Sequence, residues 1–354
     1  MSTRIPVAVL GATGMVGQRF IELLQEHPWF ELVALAASEK HGGRCYAEVT
    51  PWRLPGSEMP TVAAALPVVA CRPEALPAAK IVFSALPAEI AGDIEADFAR
   101  AGVAVFSNAK NYRMAADVPL IVPEVNADHA AAIVQQRKQR GWPGCIVTNA
   151  NCSATPLVMA LKPLQEAFGV RKVLATTLQA ISGAGYPGLP SYDILDNAIP
   201  YIGGEEEKME CETRKMLGTW EEGQGFSDAP IIVSAQCNRV ATREGHLECA
   251  SIELGRDDVS PEEIIAAWQR FTPEPQRLQL PSAPQSALVY RNEPDRPQTL
   301  RDRDAGHGMT VTLGRLRRCP ILGYKFVLLG HNTIRGAAGG SLLNAELCVS
   351  KGFL

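Results

Sequence analysis

Residues 5–17 restrict the possible folds more than any other stretch of the chain. Ile5-Pro6-Val7-Ala8-Val9-Leu10 is a continuous apolar run, the composition of a strand covered on both faces. Gly11-Ala12-Thr13-Gly14-Met15-Val16-Gly17 follows, and Val16, Phe20, Leu23 and Leu24 then recur at helical spacing up to His27-Pro28. Strand, glycine loop and helix in this order expose the first amides of a helix to an anion, with no side chain to keep a pyrophosphate away. The spacing is G-x-x-G-x-x-G, not the commoner G-x-G-x-x-G. A chain that starts this way is expected to form a doubly wound parallel sheet. Its expected dinucleotide contacts include Gly11, Thr13, Gly14, Met15 and Val16.

The next strand, Glu31–Ala37, ends at Ser38-Glu39-Lys40-His41-Gly42-Gly43-Arg44. A site selective for NAD places an acidic residue there to hold the ribose hydroxyls. The hydroxyl of Ser38, with Lys40 and Arg44 behind it, suits a 2′-phosphate and so NADP; Glu39 argues the other way. Residues 45–79 are rich in Pro and Ala and give no assignable element. Lys80–Leu86 is another buried strand, Pro87 opens a helix running to about Ala101, and Val103–Ser107, Leu120–Pro123 and Cys145–Thr148 read as further strands. A helix is expected over 128–140.

With 354 residues the chain is long enough for two cores. The expected division is a dinucleotide-binding domain over 1–150, a second domain over 151–332, and a last helix within 333–354 that rejoins the first. A net charge of −4 gives no nucleic-acid footprint, and Arg315, Arg317 and Arg318 form only a local cluster. No apolar run approaches the roughly 18 residues of a membrane span, and the apolar start is too short for a signal peptide. The nine cysteines (45, 71, 145, 152, 211, 237, 249, 319 and 348) are scattered, with no C-x-x-C pair and no metal-ligand spacing. Free thiols in a reducing cytoplasm, and no metal, are expected.

One cysteine stands apart. Cys152 lies in Thr148-Asn149-Ala150-Asn151-Cys152-Ser153-Ala154-Thr155-Pro156, between a β-prone run and a helical pattern from Leu157 to Phe168. The partial positive charge of a helix N-terminus favours a thiolate, the nucleophilic form. Such a thiolate needs an acid/base partner. Of six histidines, His246 has the most suggestive neighbours: it starts a strand after Gly245, seven residues beyond Arg239. Fully extended, those two residues lie roughly 23 Å apart, so sharing one site requires the 241–245 segment to loop back.

Further on, Lys172–Ile181 is β-prone and leads into Ser182-Gly183-Ala184-Gly185. Gly203-Gly204-Glu205-Glu206-Glu207-Lys208 opens a helix lasting to about Leu217 with an acidic first turn. Strands over 230–235, 246–254, 308–317 and 324–329, and a helix introduced by Ser260-Pro261-Glu262-Glu263, give the second domain a mostly antiparallel sheet with helices on one face. The last helix is entered through Gly336-Ala337-Ala338-Gly339-Gly340.

Five blocks occur in order: Gly11-x-x-Gly14-x-x-Gly17, Asn151-Cys152-Ser153-Ala154-Thr155-Pro156, Gln179-x-x-Ser182-Gly183-Ala184-Gly185, Glu205-Glu206-Glu207-Lys208, and Arg239 with His246. Together they resemble the aspartate-semialdehyde dehydrogenases, in particular the archaeal and fungal branch, over nearly the whole chain. The resemblance implies a Rossmann-type domain plus an α+β catalytic and dimerisation domain. It also implies NADPH-dependent reduction of L-aspartyl 4-phosphate to L-aspartate 4-semialdehyde, a step of lysine, threonine and methionine biosynthesis. Malonyl-CoA reductases share the same blocks and remain the alternative. On this resemblance Cys152 is the nucleophile, His246 the acid/base, and Gln179 orients imidazole or substrate. Arg239 grips the α-carboxylate, Glu205 the ammonium, and Lys208 with Arg113 the phosphate. Ser182, Gly183 and Gly185 flank the nicotinamide, with Ser38, Lys40, Ser84 and Asn332 completing the NADP contacts. Asn151 has three open uses: capping the helix, touching the nicotinamide amide, or stabilising an oxyanion. A homodimer or homotetramer is implied, with no nucleic acid or membrane as partner. A thiol hydrolase and a non-catalytic dinucleotide sensor are the other classes; the glycine loop opposes the first and Cys152 the second.

Overall fold

The computed structural model describes residues 4–354, which divide into two compact units. The first comprises residues up to 121, 128–149 and 338–354. Its seven strands are β1 (Ile5–Leu10), β2 (Phe30–Ala37), β3 (Val68–Ala70), β4 (Ile81–Ser84), β5 (Ala104–Ser107), β6 (Leu120–Ile121) and β7 (Cys145–Asn149). They form one sheet in the order β3-β2-β1-β4-β5-β7-β6, with every pairing parallel. The order turns around between β1 and β4, so the chain leaves β1 on one side and returns on the other. In an open α/β sheet that reversal opens a crevice beyond the strand ends, where ligands bind.

Buried strand residues account for this arrangement. Val7, Val9, Val82 and Phe83 are fully buried, as parallel strands with helices on both faces require. Phe83 stacks on Phe20 of the first helix and meets Phe30 edge-on, which fixes that helix against β2 and β4. Within 45–79 the chain forms β3 and two short helices, Tyr46–Val49 and Thr61–Ala65. The last helix, Gly339–Ser350, packs on β5 and β7 and is buried almost throughout. His27 ties the end of the first helix to it: Nδ1 accepts the amides of Trp29 and Phe30, and Nε2 lies 2.8 Å from Glu346 Oε1.

The second unit comprises residues 122–127 and 150–337. Its strands are β8 (Val170–Gln179), β9 (Ala198–Ile199), β10 (Thr219–Glu221), β11 (Gly225–Ser227), β12 (Ile232–Val240), β13 (His246–Leu254), β14 (Leu288–Arg291), β15 (Val311–Cys319) and β16 (Gly323–Gly330). β10 and β11 form a separate hairpin; the others form a sheet in the order β14-β15-β16-β13-β8-β12-β9. It is mixed: β8–β12 and β14–β15 are parallel and the other pairs antiparallel. Period-2 alternation sets the faces. Val173, Ala175, Thr177 and Gln179 of β8 point inward, whereas Leu174 is 46% exposed. The helices Ala154–Phe168, Glu205–Leu217 and Pro261–Arg270 belong to this unit. The last begins with a complete Ser260/Glu263 capping box, and its Trp268 donates Nε1–H to the Ala160 carbonyl at 2.9 Å.

Two short segments lie in this unit despite their positions in sequence. Glu124, in the turn Pro123–Asn126, receives a two-pronged bond from Arg335 at 2.7 and 2.8 Å, both side chains being buried. Arg335 belongs to a π-helical turn, Ile334–Ala338, that precedes the final helix, so that helix starts at Gly339 and not at 333.

Candidate active site

In the first unit the glycine loop has the properties that a dinucleotide requires. Gly11 has φ +72°, and a Cβ there would meet the Ala85 carbonyl oxygen at 2.6 Å. A Cβ on Gly17 would lie 2.3 Å from the Gly11 oxygen, so the helix packs directly on the loop. Gly14 is exposed, and the helix Met15–Leu24 has neither a side-chain cap nor an acidic residue in its first turn. Its first amides therefore stay available to an anion. Thr13, Met15 and Val16 are partly exposed around them. Tyr46 braces the loop by donating its hydroxyl to the Ala12 carbonyl at 2.7 Å.

At the end of β2, Ser38, Lys40 and Arg44 are all exposed. Glu39 leans toward Arg72 at 3.6 Å, which offsets its charge and brings a further cation to the edge. Two other expected contacts are buried. Ser84 is fully buried beside Glu95. Arg113 is also buried and donates Nη2–H to the Asn108 carbonyl at 2.8 Å.

In the second unit the catalytic candidates converge at the C-terminal end of β8. β12 lies parallel to β8 with Arg239 opposite Gln179, and β13 lies antiparallel on the other side with Leu247 opposite Leu178. The chain thus crosses the end of β8 between Val240 and His246. This crossing brings together two residues that an extended chain would hold far apart. Gly183 measures the result: a Cβ there would be 2.7 Å from Arg239 Nη1 and 3.4 Å from His246 Cε1.

Cys152 Sγ lies 3.2 Å from His246 Nε2. The imidazole is fully buried, and its Nδ1 accepts the Ala180 amide at 3.1 Å. Because Nδ1 accepts, the ring proton belongs on Nε2, facing the sulfur. Burial first, then the Arg239 charge and then His331, push the His246 pKa down to about 3. The same Ala180 holds the cation: its carbonyl accepts Arg239 Nη1–H at 2.6 Å. One peptide residue therefore sets both the tautomer of the histidine and the direction of the guanidinium.

Asn151 is a bracket. Its Oδ1 accepts the amides of Ser153 and Ala154, its Nδ2 donates to Glu205 Oε1 at 2.8 Å, and its own amide donates to Glu212 Oε2 at 2.7 Å. Helix capping is thus the use that this geometry supports, together with alignment of Glu205. The first amides after Cys152 point to Asn151, and the imidazole faces the sulfur beside the Arg239 charge. Glu205 Oε2 accepts Lys208 Nζ–H at 3.1 Å. Asn332 holds two loops, accepting the Gly245 amide and donating to Ser182 Oγ. Gly336 packs on the nucleophile: a Cβ there would be 2.7 Å from Cys152 Cβ.

Glu212, Ala180 and Gly336 are the residues that sequence reasoning missed. Glu212 carried a signal, falling seven residues after Glu205 on the same helical face. Ala180 acts through its backbone and carried none.

Comparisons with known proteins identify the family. Residues 6–133 match a model described as semialdehyde dehydrogenase, NAD binding domain, and residues 161–335 one described as semialdehyde dehydrogenase, dimerisation domain. An aspartate-semialdehyde dehydrogenase of Archaeoglobus fulgidus is 51% identical, covering 98% of this chain and 99% of its own. That of Schizosaccharomyces pombe is 46% identical, with 98% and 99% covered. The crystal structure of aspartate semialdehyde dehydrogenase with NADP from Candida albicans superposes with a TM-score of 0.91 at 43% identity, covering 99% of this chain and 100% of that one. With identity of this degree over both full lengths, the chain belongs to the aspartate-semialdehyde dehydrogenase family.

Proposed function

We propose that this chain catalyses the reductive dephosphorylation of L-aspartyl 4-phosphate to L-aspartate 4-semialdehyde and phosphate, with NADPH as reductant. The observation that carries the reading is the 3.2 Å approach of Cys152 Sγ to His246 Nε2, beside Arg239 and the Glu205–Lys208 pair. Cys152 attacks the acyl carbon as thiolate, the bond to the phosphate oxygen breaks, and a thioester forms. NADPH, when bound, supplies the hydride that reduces this thioester. The resulting thiohemiacetal oxyanion re-forms its carbonyl and expels the thiolate. His246 Nε2–H is the donor for the sulfur at rest and for oxygen as charge develops there. In this tautomer the ring donates a hydrogen bond and does not act as the base that the resemblance implies; the thiol proton leaves to solvent before attack, Cys152 being partly exposed, and each turnover regenerates the thiolate.

Arg239, fixed by Ala180, is suited to the substrate α-carboxylate through its remaining N–H groups. Glu205 offers an anion to the substrate ammonium, and Lys208 a cation to the phosphate, with Arg113 as a further candidate. Gln179 orients the reacting group. Malonyl-CoA has no ammonium for Glu205, and the names of the full-length relatives also favour the aspartyl substrate.

The first unit is assigned NADP binding through Gly11, Gly14, the first helical turn, Ser38 and Lys40, and the second unit catalysis and self-association. The open face of its sheet, with exposed Leu174 and Ile232, supports a homodimer or homotetramer. Free cysteines throughout the described residues suit a reducing cytoplasm.

The test is steady-state assay with NADP and NAD as cofactors, comparing phosphate-dependent oxidation of aspartate semialdehyde with malonyl-CoA-dependent oxidation of NADPH. Phosphate-dependent turnover that Cys152→Ser abolishes, with NADP binding retained, is expected. Turnover with malonyl-CoA alone would overturn the assignment.

A further inference from the structure

Behind the catalytic residues lies a carboxyl group that the proposed reaction does not use. Glu248 is two residues beyond His246 on β13 and is fully buried. Neither of its carboxyl oxygens has a hydrogen-bond partner. Its strand register puts it directly opposite Thr177 of β8, with Gln179 the diagonal neighbour on the same face. Both neighbours carry orphaned atoms as well. Gln179 Nε2 has no partner, and Thr177 Oγ1 has only the weak Cys237 sulfur beside it. Four polar atoms on adjacent positions of two paired strands are thus turned inward with nothing to bond. Buried polar groups are almost always satisfied by protein or by ordered water, and a buried water needs two to four such partners.

We propose that Glu248, Thr177 and Gln179 together bind a buried water, and that Glu248, as a neutral acid, uses it to fix the Gln179 amide at the active site. Glu248 is a positioning residue in this assignment, acting through Gln179.

The protonation state follows from the groups around it. Glu205, Cys237 and Cys249 are the titratable side chains coupled to Glu248, and none is cationic. Burial first, then the Glu205 charge, raise the Glu248 pKa well above the ordinary carboxylate value. Glu205 has the opposite surroundings, with Lys208 and Asn151 both donating to it. Of the two acids, Glu248 is the one that keeps a proton, having neither a cation nor a donor beside it. A neutral Glu248 has one donor and one carbonyl acceptor, enough to anchor a water between Thr177 Oγ1 and Gln179 Nε2–H.

The catalytic part rests on the function proposed above; the water site does not. Two measurements on the full-length protein address the site itself. A high-resolution crystal structure is expected to show a water bonded to Glu248, Thr177 and Gln179. Infrared spectra are expected to show a protonated carboxyl band that stays constant from about pH 6 to about pH 9 and vanishes in Glu248→Gln. An empty site, or a band that titrates in that range, would overturn the proposal. For catalysis, Glu248→Gln is expected to keep kcat within about threefold of the parent. Glu248→Leu is expected to lower kcat about tenfold with little change in KM, and Gln179→Leu is expected to add nothing to that loss. Loss of activity in Glu248→Gln equal to that in Glu248→Leu, or fully additive Leu substitutions, would refute the positioning role. If Glu248→Leu fails to fold, Glu248→Gln with the infrared band still decides. Wild-type protein inactive with aspartate semialdehyde, yet carrying the water and the band, would refute the proposed function and leave the site standing.

Discussion

Replacing His246 by Gln tests the proton assignment at the centre of the site. A glutamine amide keeps an acceptor for the Ala180 N–H and a donor for the sulfur, but it does not titrate. The imidazole binds a proton with a pKa of about 3 in the folded chain, against about 6.5 when unfolded. Between these values the unfolded state holds more protons, so the contribution to stability is complete above about pH 6.5 and is lost as pH falls toward 3. The slope is about 1.4 kcal/mol per pH unit, and the full span is at most about 5 kcal/mol. Urea unfolding of wild type and His246→Gln, followed from about pH 7 down to about pH 4.5, should give a stability difference that shrinks by about 1 to 3 kcal/mol. The kcat profile of the wild type should show no limb near pH 6.5 that disappears in the variant. A stability difference independent of pH, or such a limb, would show that the ring titrates normally and that Nδ1 does not hold its place against Ala180.

Gly336→Ala should push its new Cβ into Cys152 and cost about 1–3 kcal/mol of stability; thermal unfolding and kcat should both report it, since the 3.2 Å contact of sulfur with imidazole moves with the backbone. Asn151→Ala removes the cap on Ser153 and Ala154 and the donor to Glu205, a loss of about 1–3 kcal/mol in chemical denaturation. Arg335→Met leaves Glu124 buried without its cation, and about 3–5 kcal/mol should be lost in thermal denaturation. Lys40→Glu should raise KM for NADP about tenfold and leave that for NAD nearly unchanged, a difference read from initial rates.

Much of the first unit was legible in the chain itself. Continuous apolar runs such as Val7–Leu10 suit parallel strands covered on both sides, and Gly11 and Gly17 mark the loop because larger side chains would collide there. These are local constraints, and local constraints are written in sequence. The surroundings of Ser84 were not legible, because a hydroxyl at a strand end reads alike whether it faces a crevice or, as here, Glu95. The nucleophile was legible too, from a motif at a strand-to-helix turn, but its electrostatics were not. Asn151 takes the amides of Ser153 and Ala154, and the sulfur meets an imidazole 94 positions away.

Only the tertiary structure decided how the rest of the site is held. Arg239 and His246 meet because β12 and β13 flank β8, a pairing set by long-range hydrogen bonds that no spacing in the chain records. The tautomer of His246 and the aim of Arg239 both depend on the peptide groups of Ala180, and a backbone amide looks the same in every sequence. Residue types determined which chemistry was available. Strand order and main-chain hydrogen bonds determined where each proton and charge is held.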